Sequence, residues 1–141
     1  MIIEWDGEVC VRKEVSKVKE QVVNPFDLPG EPVCFITSRL FTKGKYKDNI
    51  KFIANLAREL YFMGFISIQP QTLCPWLIDG DKEVNRVAAM KVCRTVILKV
   101  DFVVFDFEMR SEGVKEEICF AVENHIPVFE IHYIRKLLKM Q

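Results

Sequence analysis

The chain has 141 residues, half of them hydrophobic, and its 20 basic residues balance its 20 acidic ones. This length fits one compact domain, and the hydrophobic share is large enough to build a core. The zero net charge excludes a strongly basic protein of the kind that binds nucleic-acid polymers. The high hydrophobic content excludes an intrinsically disordered chain.

The five cysteines include no Cys-x-x-Cys pair, and the only histidines are His125 and His132. This set gives little support to a zinc site, so we expect neither a metal nor a cofactor. Cys34, Cys93 and Cys119 have apolar neighbours in the sequence, and we expect reduced core thiols. Acidic residues interrupt the first residues, unlike a signal peptide, and no apolar run is long enough to cross a bilayer. We therefore expect a soluble, cytoplasmic protein.

The first segment predicts a small β-hairpin over residues 2–13, with an Asp-Gly pair at its turn. A segment with three prolines and one glycine, from Asn24 to Pro32, is typical of a linker. We therefore place the hairpin and linker in residues 1–31 and the main domain in residues 32–141.

The main domain alternates short apolar runs with segments of helical periodicity. The apolar runs predict strands over residues 33–37, 65–68, 102–105 and 127–131. The helical periodicity predicts helices over residues 45–63, 81–99, 112–124 and 133–140. Strands that alternate with helices form a parallel sheet with right-handed crossovers. The sequence thus predicts an α/β fold with a parallel sheet of four to five strands.

Ligands of such sheets bind at the carboxyl ends of the strands. The segments that follow the strands are therefore informative, and these are residues 37–45, 69–80, 106–113 and 131–133. Charge is uneven along the chain, because residues 38–58 hold six bases and one acid, and residues 101–123 hold seven acids and two bases. Two interpretations stay open. The segments form a basic wall for a phosphate and an acidic wall with a carboxylate, or they are solvated helix faces that pair with each other.

Two of these segments carry candidate site residues. In the first, the Ser38 hydroxyl, the Arg39 guanidinium and exposed backbone amides suit an anion, although no glycine-rich phosphate loop is present. In the second, Ser111 is a favourable N-cap at a helix start where free amides bind phosphate oxygens, and Gly113 permits close approach of a ligand. Glu117 lies one turn further on, beside apolar residues, where a carboxylate suits a nucleophile or a base.

The pattern Ser111-x-Gly113-Val114-x-x-Glu117, after a strand that begins beyond Asp101, resembles the nucleoside 2-deoxyribosyltransferase-like superfamily. This superfamily includes deoxynucleoside 5′-monophosphate N-hydrolases and bacterial and phage members. The resemblance covers about residues 33–131. Its other matching stretches are Val33 to Arg39, Gly64-Phe65, Pro70 and His125 to Val128.

The resemblance implies a flavodoxin-like three-layer sandwich that binds a small nucleotide or nucleoside and forms homo-oligomers. It implies that Glu117 attacks C1′ of the sugar, that the base leaves, and that water or a second base resolves the glycosyl-enzyme. In the N-hydrolases, a serine six residues before the glutamate binds the 5′-phosphate, and this serine corresponds to Ser111. A serine after the first strand corresponds to Ser38.

Three positions depart from the family pattern. Cys34 stands where the family has a tyrosine, Thr37 where it has a glycine, and Cys93 where it has an aspartate that handles protons. A general acid contributes about 10²–10⁴-fold to such a reaction, so the loss of this aspartate weakens the case for catalysis. The residues that could replace it are Asp79, Asp81 and Asp106. We count Asp106 among the substrate-binding candidates.

Three functions stay open on this basis. The first is an enzyme that acts on an N-glycosidic bond, and the second is a nucleotide-binding module of the same fold that has lost the chemistry. The third is an interaction scaffold built on the hairpin and on aromatic residues that would otherwise pack in the core, namely Phe41, Phe62, Trp76 and Tyr133. In each case we expect no membrane and no polymeric nucleic acid as partner.

Overall fold

The computed structural model describes residues 2–5, 8–11, 24–40, 46–69 and 82–141, and for residues 2–5, 8–11 and 82–86 it describes the backbone. Several predicted features lie outside the described residues. These are the hairpin turn, the loop over 70–79, Phe41, Trp76, Asp79 and Asp81.

The described elements alternate strands and helices as the sequence predicts. They are β1 (Ile2–Trp5), β2 (Glu8–Val11), β3 (Val33–Ile36), α1 (Tyr46–Phe62), β4 (Ile66–Ile68), α2 (Lys82–Ile97), β5 (Phe102–Phe105), α3 (Glu112–Glu123), β6 (Val128–Glu130) and α4 (Ile131–Lys139). Short 3-10 turns cover Pro25–Asp27 and Phe107–Met109. Helix α4 begins two residues earlier than predicted, because the Glu130 side chain caps its first turn.

Strands β3 to β6 form one parallel sheet in the order β4-β3-β5-β6. Strands β1 and β2 form a separate antiparallel hairpin, and β2 lies beside α3. The predicted α/β fold with a parallel sheet and an N-terminal hairpin is thus confirmed. Within the described ranges, no helix has the length and apolar character needed to span a membrane.

The sheet is covered by helices on both faces, which makes three layers. On one face, Cys34, Ile36, Phe102 and Val104 pack with apolar residues of α1 and α4. On the other face, Phe35, Val103, Phe105 and Val128 pack with apolar residues of α2 and α3. The two central strands are apolar on both sides because both of their faces are buried. This architecture is consistent with a flavodoxin-like sandwich.

The turn between α1 and β4 requires a glycine. Gly64 has a φ of 101°, a backbone conformation that residues with a Cβ rarely adopt. The backbone N–H of Phe65 then donates to the carbonyl of Leu60 at 3.0 Å, which closes the end of the helix. The prediction that the helix ends at this glycine is therefore confirmed.

The structure confirms the prediction of reduced thiols for two cysteines and overturns it for a third. Cys34 and Cys93 are buried free thiols, as expected. Cys119 is disulfide-bonded, so the expectation of a reduced core thiol was wrong at this position. The reason lies in the geometry of α3, where Ile118 and Val122 face the sheet and Cys119 is only partly buried.

Two of the aromatic residues considered for an interface lie on the surface. Phe62 is 74% exposed and Tyr133 is 43% exposed, so neither is a core residue. The Tyr133 ring stacks on Phe129, with ring centroids 6.1 Å apart. The Phe62 ring meets Tyr61 edge to face.

Candidate functional site

The candidate residues gather at the carboxyl edge of the parallel sheet. The backbone N–H of Thr37 donates to the carbonyl of Val104 at 2.9 Å, so the ladder between β3 and β5 extends past the end of β3. The N–H of Arg39 then donates to the carbonyl of Met109 at 3.1 Å. These bonds fix the segment after β3 beside the 3-10 turn that follows β5.

Glu117 reaches this edge from α3. Its neighbours Val114, Ile118 and Ala121 are buried against the sheet, and the Glu117 side chain is itself partly buried. The hydroxyl of Thr37 donates to Glu117 Oε1 at 2.7 Å. Thr37 lies two residues after Phe35, whose side chain packs on the face that α3 covers. Strand alternation therefore directs Thr37 toward α3.

The environment of Glu117 favours a carboxyl group that is easily protonated. Burial raises the pKa of Glu117 to about 7, and the hydrogen bonds from Thr37 and Cys93 and the charge of Arg94 partly oppose this. The Arg94 guanidinium itself lies over the Phe120 ring, 5.3 Å from its centroid. At neutral pH, both the neutral and the ionised form of Glu117 are therefore populated.

Two of the three positions that depart from the family pattern contact Glu117. Thr37 and Cys93 each form a hydrogen bond with its carboxyl group. Cys34 instead lies in the core on the opposite face of the sheet, where burial raises the pKa of its thiol to about 12. Thr37 and Cys93 thus give Glu117 hydrogen-bond partners that differ from those in the family pattern, whereas Cys34 is a core residue without contact to this site.

Ser38 offers a buried hydroxyl at the same edge. The residue is 6% exposed, and its Oγ has no hydrogen-bond partner among the described residues. A buried hydroxyl without a partner is unfavourable unless a ligand or water satisfies it. This position therefore suits a polar ligand atom.

Arg39 is anchored toward α1. Its Nε donates to Asn49 Oδ1 at 3.5 Å, and the buried Asn49 amide donates to the carbonyl of Leu40 at 2.8 Å. A guanidinium has five N–H donors, so this contact orients the side chain and uses one donor. The arrangement holds Arg39 at the carboxyl edge.

Ser111 and Gly113 form the start of α3. Ser111 is the N-cap, and its Oγ accepts a hydrogen bond from the N–H of Val114 at 3.2 Å. Gly113 is exposed, and among the described residues a Cβ added there would come within 4 Å of the Ser111 Oγ alone, at 3.8 Å. Glu117 lies about 9 Å further along the helix axis than Ser111. A ligand that contacts both must be several ångströms long, as a sugar phosphate is.

Asp106 lies in a different cluster of polar side chains. It is buried, and its Oδ1 accepts a hydrogen bond from the N–H of Glu108 at 2.8 Å, which caps the 3-10 turn. The structure brings it together with Glu130 and His132. Sequence reasoning singled out neither of these two residues, although residues 131–133 were recognised as a segment that follows a strand.

The comparison with known families decides where the chain belongs. Residues 32–131 match the family described as a domain of unknown function (DUF7768). The chain belongs to this family. No curated protein and no solved structure matches it. The matched range contains Thr37, Ser38, Asp106, Ser111 and Glu117, so the candidate edge of the sheet is part of the DUF7768 domain.

The layered fold separates the helices of the two charged segments of the DUF7768 domain, whereas the loops meet where the N–H of Arg39 donates to the carbonyl of Met109. Helix α1 covers one face of the sheet and α3 covers the other. Helices α1 and α3 therefore lie on opposite sides of the sheet, and the choice between the two interpretations of the charges stays a prediction. The acidic segment also runs the full length of α3, from Glu112 at its start to Glu123 at its end. Its acidic residues are therefore spread along the helix.

Proposed function

We propose that this DUF7768 domain cleaves the N-glycosidic bond of a small nucleotide, with Glu117 as the nucleophile at C1′ of the sugar. The observation that carries the proposal is the Glu117 carboxyl group, which Thr37 holds at the carboxyl edge of the sheet and whose pKa lies near 7. Its place in the pattern from Ser111 to Glu117 supports the same reaction, because the pattern resembles that of the nucleoside 2-deoxyribosyltransferase-like superfamily.

The proposed reaction has two displacements. In the first, a bond forms between a Glu117 carboxylate oxygen and C1′, and the bond between C1′ and the base breaks. The base leaves with the electron pair of that bond and takes a proton from the solvent. In the second, water attacks C1′, the bond to Glu117 breaks, and a proton is lost from the attacking water. The products are the free base and the sugar phosphate, and the anomeric configuration is retained overall.

The other candidates bind the substrate in this proposal. Ser111 and the free amides at the start of α3 contact the phosphate, since a helix N-terminus favours an anion. Gly113 leaves room for the sugar phosphate to approach the helix. The buried Ser38 hydroxyl binds a polar atom of the substrate. Arg39 adds positive charge at the same edge, and Asp106 stays a candidate for contact with the sugar or the base.

The test measures free base by chromatography after incubation with each of the common deoxynucleoside 5′-monophosphates. We expect release by the unaltered protein and a loss of at least about a thousandfold in Glu117→Gln, because this change removes the nucleophile. Glu116→Gln is the matched control. It neutralises the adjacent exposed carboxylate, and we expect it to keep most of the activity.

Absence of free base with every substrate would overturn the proposal. Equal release by the unaltered protein and Glu117→Gln would also overturn it, because the bond would then break without this carboxylate. A circular-dichroism melt of Glu117→Gln shows whether the variant is folded, so a loss of activity is not mistaken for unfolding.

The thiol of Cys93 beside Glu117 favours a second function, which is nucleotide binding without cleavage. Cys93 stands in place of the aspartate that the family pattern would supply, and its thiol is a weak donor and a poor general acid at neutral pH. A module that binds nucleotides without cleaving them fits this substitution. It predicts a rise in the melting temperature with a deoxynucleoside monophosphate and no free base. A cytoplasmic location and self-association stay predictions under both functions.

A further inference from the structure

A second group of polar side chains converges at the carboxyl ends of β5 and β6. Asp106 follows β5, Glu130 is the last residue of β6, and His132 lies in the first turn of α4. The potential ligand atoms of these three side chains all lie within 4.8 Å of one another. The parallel register places Phe105 beside Glu130, so the two strands hold the carboxylates next to each other.

The group holds two carboxylates and one imidazole, and the imidazole is already in contact with the Glu130 carboxylate. Glu130 accepts from the backbone N–H of His132, and its two oxygens lie 2.8 and 2.9 Å from His132 Nδ1. The guanidinium of Arg135, from the same helix, is engaged by Glu59 through two hydrogen bonds of 2.7 and 2.8 Å. Two neighbouring carboxylates therefore face one imidazole, an arrangement that a bound cation stabilises.

Ser38, whose hydroxyl has no partner among the described residues, follows β3 at the same carboxyl edge of the sheet. Cys34 pairs with Phe102 and Ile36 with Val104, and all four side chains pack on the face covered by α4. Ser38 is two residues beyond Ile36, so strand alternation directs it toward that face, while the backbone N–H of Arg39 leaves the ladder and donates to the carbonyl of Met109. Since the Ser38 Oγ is buried and has no partner among the described residues, a polar ligand at this point would satisfy it.

We propose that Asp106, Glu130 and His132 form a binding site for one divalent transition-metal ion. Two carboxylates and one imidazole suit Mn²⁺ or Zn²⁺, because oxygen ligands favour Mn²⁺ and imidazole favours zinc. Neighbouring ligands of a tetrahedral ion at about 2.0–2.2 Å lie about 3.3–3.6 Å apart, so a pair of atoms at the 4.8 Å limit has to move closer by about 1.2–1.5 Å. Three protein ligands leave positions open for water or a substrate oxygen. The site does not depend on the proposed cleavage reaction.

The experiment titrates Mn²⁺ alone into protein that has been treated with EDTA and dialysed, and follows binding by calorimetry and by the loss of the free Mn²⁺ signal in electron paramagnetic resonance. Mn²⁺ is used because it binds thiols poorly, so the cysteines do not compete. We expect one ion per chain. We expect His132→Gln and Asp106→Asn each to weaken binding at least about tenfold, since each removes a ligand.

His125→Asn is the matched control. It removes the other imidazole of the chain, and asparagine tolerates the φ of 62° at this position. We expect the control to bind Mn²⁺ as the unaltered protein does. His132 is exposed, so His132→Gln is expected to fold normally, and its melting curve verifies this even if the buried Asp106 variant fails to fold. Lack of Mn²⁺ binding by the unaltered protein, or unchanged binding by His132→Gln, would refute the site.

Discussion

At the scale of single residues, burial and two hydrogen-bond donors set the pKa of Glu117. Thr37 and Cys93 both stabilise its ionised form, whereas burial stabilises the neutral form. Burial has the larger effect, so the pKa of the carboxyl group is raised to about 7. Because a carboxyl group attacks only when it is ionised, the rate of a reaction that uses Glu117 is expected to rise with pH across neutrality.

Thr37→Val tests this balance directly. Valine has nearly the same shape but no hydroxyl, so the Glu117 pKa is expected to rise further above its usual range. A hydrogen bond to a charged group contributes about 1.5 kcal/mol, which corresponds to about one pH unit. The acidic limb of the pH–rate profile should therefore move upward by about one pH unit. The same shift should appear in a ¹³C NMR titration of the Glu117 carboxyl carbon, which requires no turnover.

Thr95→Val is the control for this prediction. The Thr95 hydroxyl donates to the carbonyl of Lys91 within α2, on the exposed side of that helix. The variant loses a hydroxyl of the same kind away from Glu117, and its titration midpoint should stay where it is. Unchanged midpoints in both variants would show that the Thr37 bond does not influence Glu117.

At the scale of elements, Ser111 at the start of α3 has two roles, a structural one as the N-cap and a proposed one in binding. Ser111 caps the helix through its hydroxyl oxygen, and the same residue is the proposed phosphate ligand. Loss of an N-cap side chain costs about 1 kcal/mol of stability, so a loss of binding in an alanine variant would be ambiguous. A variant that keeps the cap but repels phosphate resolves the two roles.

Ser111→Asp is that variant, because aspartate is an equally good N-cap. In chemical denaturation, Ser111→Ala should lose about 1 kcal/mol in the free energy of unfolding and Ser111→Asp should lose little. In calorimetry with a deoxynucleoside monophosphate, Ser111→Asp should bind more weakly than Ser111→Ala, because its carboxylate repels the phosphate. Affinity in Ser111→Asp that equals that of the unaltered protein would place the phosphate elsewhere.

The elements themselves were largely predictable because their signals are local. The runs from Val33 to Ile36 and from Phe102 to Phe105 are apolar on both faces, which is typical of strands buried on both sides. The start of α4 was missed because its cap, Glu130, is also the last residue of a strand. Local patterns do not assign one residue to two elements.

The contacts within the site were less predictable because they depend on packing between distant elements. Glu117 and Ser111 were found from their spacing within one helix. The bond from Thr37 to Glu117 joins residues 80 positions apart and follows from how α3 sits on β3. The group of Asp106, Glu130 and His132 follows from the order of strands in the sheet, which the sequence alone did not provide.

At the scale of the whole molecule, the parallel sheet places two polar groups side by side along one edge. Glu117 and Thr37 lie on the face covered by α3, and Asp106 lies with Glu130 and His132 at the ends of β5 and β6. Ser38 follows β3, which is the direct neighbour of β5 in the sheet. The proposed nucleotide site and the proposed metal site therefore share one edge of the sheet.

The proposed function depends above all on a covalent bond between Glu117 and the sugar during turnover. The most direct measurement quenches the protein with acid while it processes a deoxynucleoside 5′-monophosphate, digests it, and determines the mass of the peptide that contains Glu117. We expect an added mass of one deoxyribose phosphate unit on Glu117, absent from the Glu117→Gln variant. Release of the base at the same rate by both proteins, with this peptide unmodified throughout, would contradict it.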